Sequence, residues 1–150
     1  MKTQCENQAD GDSIEQREAE LLLIATLGER LGVRLSKHRF NLPEGGWLEI
    51  DGVCEVPLLL CEAWAHQGKP KSAQKNKVMT DAAKLVFAAK LCASTPRLIL
   101  LFGDEQAATH FKGRSWMAQL LRTSGIEVHT VDLPETVRNG IRLAQKRQFR

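Results

Sequence analysis

The chain has 150 residues, of which 43% are hydrophobic and 26% charged, a balance that suits one globular domain with a sizeable core. No apolar run approaches the length that crosses a membrane, and the four scattered cysteines lack the spacing of a zinc site. The formal net charge of +3 is too small to indicate a nucleic-acid partner by itself.

Residues 1–12 are polar and acidic, and we expect them to be disordered because they offer few apolar side chains for burial. They lack the apolar stretch of a secretory signal, so we expect a cytoplasmic protein. Residues 13–150 are expected to form a single domain. The last thirteen residues carry five bases and no acid, which predicts either a phosphate-contacting surface or a solvated amphipathic helix.

A first helix is predicted from Ser13 to about Leu31, because Ser13 is a good N-cap and Gly32 is a plausible stop. Glu20 lies one turn before Ile24, at the edge of the apolar stripe, and could point inward. The stripe is predicted to contain Leu21, Ile24, Leu27 or Gly28, and Leu31.

Three strands are predicted next, over residues 33–40, 47–53 and 56–66, with a turn at 41–46. The third contains the continuous apolar run 58–61, which predicts burial on both faces at the centre of a sheet. Three cysteines in apolar surroundings are expected to be buried. These are Cys54, Cys61 and Cys92.

Five further elements are predicted after the third strand. They are a helix from about Lys71 to Leu91, a strand at 97–102, a helix at 105–122 interrupted near Gly113, a strand at 126–133 and a helix at 135–148. The core stripe of the first of these helices is predicted as Val78, Ala82, Leu85, Val86 and Ala89. The closely spaced first three strands predict an antiparallel meander, and helical crossovers predict that the last two strands lie parallel to a neighbour. The fold class is therefore α/β, a mixed five-stranded sheet flanked by helices.

Two carboxylates stand out in these strands. Asp51 comes at the end of the second strand, and Glu62 follows the apolar run of the third, where a buried carboxylate needs a partner, a metal or a proton. Two carboxylates from adjacent strands can hold a divalent metal. The alternatives are turn chemistry at Asp51-Gly52 and a structural salt bridge between Glu62 and either Lys75 or Lys77.

The element order, with Asp51 and Glu62 on successive strands, resembles the PD-(D/E)XK nuclease superfamily, which has the restriction-endonuclease-like fold. The resemblance covers about residues 13–133. In that family two acids bind magnesium, and a lysine orients the attacking water and offsets charge on the phosphate. The resemblance implies that Asp51 and Glu62 bind Mg²⁺ or Mn²⁺, with Glu20 as an additional ligand.

The chain departs from the family motif at two positions. Ile50 replaces the proline, and Trp64 stands where the motif has its lysine. Trp cannot supply a positive charge, but some members carry the lysine on the following helix. Lys75 and Lys77 are the catalytic candidates there, and periodicity does not choose between them. Contacts with nucleic acid are predicted for Gln74, Arg142, Lys146 and Arg147.

Two functions are implied by this resemblance. The first is a metal-dependent nuclease that hydrolyses phosphodiester bonds, with DNA as the expected substrate and dimerisation or low sequence specificity expected for so small a unit. The second is a catalytically inactive module of the same fold that binds nucleic acid or a partner protein, which Trp64 favours. His66 is interpreted as a proton shuttle or, alternatively, as a packed turn histidine. A Rossmann-type domain is disfavoured because no glycine-rich phosphate loop comes after any strand.

Overall fold

The computed structural model describes residues 13–148, so the disorder expected for residues 1–12 lies outside the described part of the chain. Helices and strands succeed one another in the predicted order, with one predicted helix divided in two. The helices are α1 (Ile14–Leu31), α2 (Ser72–Leu91), α3 (Glu105–Lys112), α4 (Trp116–Thr123) and α5 (Glu135–Gln148). The strands are β1 (Ser36–Asn41), β2 (Trp47–Cys54), β3 (Leu59–Trp64), β4 (Arg97–Phe102) and β5 (Ile126–Thr130).

The strands form one mixed sheet in the order β1-β2-β3-β4-β5. The first three strands pair antiparallel, and β3, β4 and β5 pair parallel. This confirms the α/β class, the antiparallel meander and the parallel crossovers. Among the described helices, none is both long enough and apolar enough to cross a bilayer.

The sheet separates two apolar cores, and β3 contributes to both because its side chains alternate between faces. Leu60 and Trp64 pack into the core that lies under α2, α3 and α4. Cys61 and Ala63 pack into the core that lies under α1 and α5. Glu62 therefore leaves β3 on the face covered by α2.

The ends of three strands were predicted wrongly. β1 begins at Ser36 rather than at residue 33, because the amide of Val33 donates to the carbonyl of Gly28 and closes α1. β3 spans only 59–64, because residues 55–58 form a turn, and β5 ends at residue 130. The interruption predicted near Gly113 is confirmed, since α4 restarts with the Ser115 hydroxyl accepting from the amide of Ala118.

Helix α1 has the predicted caps. The Ser13 hydroxyl accepts from the amide of Gln16, and Gly32 adopts a left-handed conformation at φ 67°.

The predicted buried stripe of α1 is confirmed in part. Ile24 and Leu27 are buried and Leu31 is partly buried, as predicted. Leu21 was predicted to be buried but is 64% exposed. The buried face also contains Ala19 and Leu23, which were not predicted.

Other core predictions are partly right. In α2, Val78, Ala82 and Leu85 are buried, whereas Val86 and Ala89 are only partly buried against the same core. Of the cysteines, Cys61 is buried, and Cys54 and Cys92 are half-buried.

Candidate functional site

The two predicted carboxylates meet where β2 and β3 stop pairing. The register of the two strands runs only as far as Gly52 and Cys61. Beyond it, the amide of Asp51 donates to Glu62 Oε1 at 3.0 Å, and the amide of Ala63 donates to Asp51 Oδ2 at 3.0 Å. The carboxylates thus take the places that backbone carbonyls occupy in a regular ladder. This exchange fixes both side chains between the strands.

Glu62 is nearly inaccessible, with 2% of its surface exposed. Its second oxygen, Oε2, accepts from Lys84 Nζ of α2 at 3.1 Å. Burial, followed by the charges of Asp51 and Asp81, raises the pKa of Glu62 to about 9. The lysine opposes this rise without cancelling it.

Helix α2 contributes a polar row to the site, since Lys77, Asp81 and Lys84 are spaced by four and three residues and share one face. Burial and the charge of Asp51 raise the pKa of Asp81 to about 6, although Lys84 and Lys77 oppose the rise. Burial disfavours the charged form of Lys84, but Glu62 and Asp81 outweigh it and raise the pKa of this lysine. The site therefore contains more acids than bases: three carboxyl groups, of Asp51, Glu62 and Asp81, lie beside two lysines.

The structure separates the two lysines that periodicity could not distinguish. Lys77 Nζ lies 5.9 Å from the centroid of the Trp64 ring, and its charge acts on Asp81. The charge of Lys75 instead acts on His110 of α3, where it adds to burial in lowering the pKa of that histidine. Lys84 was not predicted as a catalytic residue, yet it is the lysine that contacts Glu62.

The signal for Lys84 was present in the sequence. Its position, seven residues after Lys77, places both side chains on one face of α2. The prediction placed the catalytic lysine in the first turns of the helix, nearest in sequence to Glu62, and so passed over the middle of the helix.

Trp64 is packed rather than presented to a ligand, with 4% of its surface exposed. Its ring stacks on His66 at a centroid distance of 4.3 Å. His66 Nδ1 lies 3.2 Å from Gln16 Nε2 and 3.3 Å from Gln74 Nε2, so it is placed to accept from side-chain amides of α1 and α2. Gln74, predicted to contact nucleic acid, thus helps to hold α2 against the end of β3.

Glu20 is half-buried on α1, whose core packs on the opposite face of the sheet from the one that Glu62 leaves. Within residues 13–148, no group of three or more histidine, cysteine, aspartate or glutamate side chains is arranged to hold a metal ion. The carboxylates that the structure brings together are Asp51 and Glu62, and the charge of Asp81 acts on Glu62.

The basic residues of α5 occupy two different settings. Arg147 pairs with Glu15 of α1 at 2.8 Å, which joins the ends of two helices. Arg142 and Lys146 line a cleft together with Gln74, at the end of the sheet where β3 leads into α2. The structure thus brings three of the four predicted nucleic-acid contacts to one place.

No protein-family model, no curated protein and no solved structure matches this chain. The resemblance to the PD-(D/E)XK superfamily therefore stays a prediction from the sequence. Support for a function of this chain comes from its fold and from the geometry of the carboxylate pair.

Proposed function

We propose that this protein is a metal-dependent phosphodiester hydrolase that acts on nucleic acid, with its reaction centre at Asp51 and Glu62. One observation supports the proposal most strongly. Two carboxylates from neighbouring strands are held face to face where the strands stop pairing, and Lys84 lies 3.1 Å from one of them. Paired carboxylates beside a lysine can bind a divalent ion and offset the charge of a phosphate.

The donor set fits Mg²⁺ or Mn²⁺. Both ions prefer carboxylate oxygen, and Mg²⁺ is commonly held by one or two carboxylates, with water and substrate phosphates completing the shell. Asp51 and Glu62 each accept backbone hydrogen bonds that fix their orientation, and carboxylate oxygens have more than one acceptor site. A bound divalent ion would activate water and neutralise charge developing on the phosphate.

The electrostatics of Glu62 favour a cation at this place. Burial and the charges of Asp51 and Asp81 raise the pKa of Glu62 from 4.5 to about 9, so they disfavour its ionised form. Lys84 relieves part of the crowding, and a divalent cation would relieve more because it attracts all three carboxylates at once.

The lysines have separate roles in this proposal. Lys84 holds Glu62 by a direct hydrogen bond and adds positive charge beside the carboxylate pair. Lys77 Nζ lies 5.9 Å from the ring centroid of Trp64, the residue at the motif's lysine position, and in this proposal its charge would offset that of the phosphate.

A second candidate function is a catalytically inactive module that binds nucleic acid. The observation in its favour is that both oxygens of Glu62 already have a hydrogen-bond donor, the amide of Asp51 and the ammonium of Lys84. Such a centre can be a purely structural ion pair. DNA as the substrate and a homodimer as the assembly remain parts of the proposal, as does a cytoplasmic location.

Calorimetric titration with Mn²⁺ separates the two functions. The proposal predicts binding that is lost in Glu62→Gln and in Asp51→Asn. The matched control is Glu49→Gln, which removes a carboxylate from the same strand as Asp51, where Glu49 pairs only with surface cations of β1. Absence of Mn²⁺ binding to the wild type, or equal binding by Glu62→Gln, would contradict the proposal and favour the inactive module.

A further inference from the structure

A cationic cleft lies beyond the end of β3, on the same strand that carries Glu62. Its volume is about 330 Å³, within the size range of small-ligand sites. The loop after β3, the start of α2 and the last turns of α5 form its walls. The residues that line it are four cations and three amides, namely Lys69, Lys71, Arg142, Lys146, Gln67, Gln74 and Gln145.

The lining contains no carboxylate to balance its positive charge. Arg142 approaches Glu135 at 3.8 Å, a weak exposed pair on its own helix. Lys69 and Lys146 form no ion pair with any other residue of the range 13–148. Holding Lys69 and Lys146 in one concave site without a carboxylate costs free energy, and a bound anion would offset that cost.

The floor of the cleft is rigid. Gln145 accepts from the amide of Gln67 at 2.8 Å and donates to its carbonyl at 3.1 Å, which fixes α5 to the loop after β3. Asp104 accepts from the amide of Gly68 at 2.6 Å, and Arg138 bonds both Asp104 and the side chain of Gln67. Because Arg138 pairs with Asp104, the carboxylate does not offset the cations of the cleft.

We infer that this cleft binds a phosphate group of the nucleic acid, distinct from the phosphate that is cleaved. Arg142 and Lys146 lie four residues apart on one face of α5, opposite Lys69 and Lys71, so the cations surround the cleft from two sides. Arginine offers a planar fork of donors suited to phosphate oxygens, and the lysines add point charges. Gln74 and Gln145 line opposite walls, where their amides bond His66 and the backbone of Gln67.

The identity of the ligand as nucleic acid rests on the proposed function, whereas the preference for a phosphate rests on the cleft. Glu62 and Gln67 are five residues apart on one extended segment, which spans at most about 18 Å. A strand of nucleic acid can bridge that distance within a few nucleotides. The bound phosphate is either an internal phosphodiester or a terminal phosphomonoester, which share the same oxyanion chemistry.

Fluorescence anisotropy with a short oligothymidylate, labelled at its 3′ end, tests the inference. One probe carries a 5′-hydroxyl and the other a 5′-phosphate, and EDTA prevents metal-dependent cleavage. The double variant Arg142→Gln/Lys146→Gln is compared with Lys90→Gln/Arg122→Gln, which makes the same charge change at positions outside the cleft. Circular dichroism confirms that both variants are folded.

The cleft variant should bind more weakly and lower the slope of log K against log salt by about 0.7, because the cleft holds one phosphate and each neutralised phosphate of a single strand contributes about 0.7. The control should keep the slope of the wild type. Equal losses on both probes identify an internal phosphodiester, and a loss confined to the 5′-phosphate probe identifies a terminal phosphate.

Three results would overturn the inference. The first is a wild type that binds neither probe. The second is a cleft variant with unchanged affinity and slope. The third is a control variant that loses as much as the cleft variant, since binding would then depend on the overall charge. A wild type that binds through the cleft without cleaving in Mg²⁺ would contradict only the proposed function.

Discussion

Replacing Glu62 by glutamine should stabilise the protein increasingly as the pH rises. In the wild type, burial and the neighbouring acids raise the pKa of Glu62 from 4.5 to about 9. Between these values the native state retains a proton that the unfolded state has released. The free energy of unfolding of the wild type therefore falls with rising pH, by up to about 1.4 kcal/mol per pH unit from this group.

Glutamine removes this linkage while keeping the size of the side chain. The difference in unfolding free energy between Glu62→Gln and the wild type should grow by up to about 4 kcal/mol between pH 5.5 and pH 8.5. Lys84 also loses its carboxylate partner in the variant, and this loss changes the unfolding free energy at every pH. The informative quantity is therefore the slope against pH.

Urea denaturation in EDTA at several pH values measures this slope. The control is Glu18→Gln, an exposed position on α1, which should differ from the wild type by a small amount that does not change with pH. A difference for Glu62→Gln that is flat with pH would refute the reasoning. It would mean that Lys84 holds Glu62 ionised throughout and that the three acids are not crowded.

Further predictions concern a glycine in each of α1 and α5 and a lysine in α2. Gly28→Ala should destabilise the fold by about 1–3 kcal/mol in urea denaturation, because the new Cβ would lie 2.8 Å from the carbonyl oxygen of Val33. Gly140→Ala, with nothing within 4 Å of its Cβ, should instead be stabilising by about 0.4–1 kcal/mol, and an equal loss at both glycines would contradict the packing argument. Lys84→Met should reduce cleavage in Mg²⁺ at least tenfold, while Lys75→Met should leave it unchanged. A loss of cleavage in Lys75→Met but not in Lys84→Met would contradict the assignment of Lys84 to the site.

The order of elements was predictable because each strand and helix carries its own hydrophobic period. The buried face of α1 was predictable only in part, because its apolar residues 21–24 are consecutive and their spacing allows more than one stripe. The start of β1 was misplaced because a residue with high strand propensity, Val33, uses its amide to close the preceding helix. Such competition between a cap and a strand depends on geometry that composition does not record.

The candidate site, like the fold, could be predicted only in part. Asp51 and Glu62 could be placed together because antiparallel pairing sets residues of two adjacent strands opposite each other. The role of Lys84 could not be predicted without knowing how α2 runs back over the sheet. From Ser72 to Lys84 the helix rises about 18 Å, close to the roughly 17 Å that the chain extends from Glu62 to Gln67, so the middle of the helix lies over Glu62.

The most direct test of the proposed function is cleavage of labelled single- and double-stranded DNA and RNA in the presence of Mg²⁺ or Mn²⁺. The proposal predicts that the wild type cleaves at least one of these substrates and that Glu62→Gln and Asp51→Asn abolish the activity, while Glu49→Gln retains it. Cleavage that survives in Glu62→Gln would contradict the account, and so would a wild type that binds these substrates and cleaves none of them.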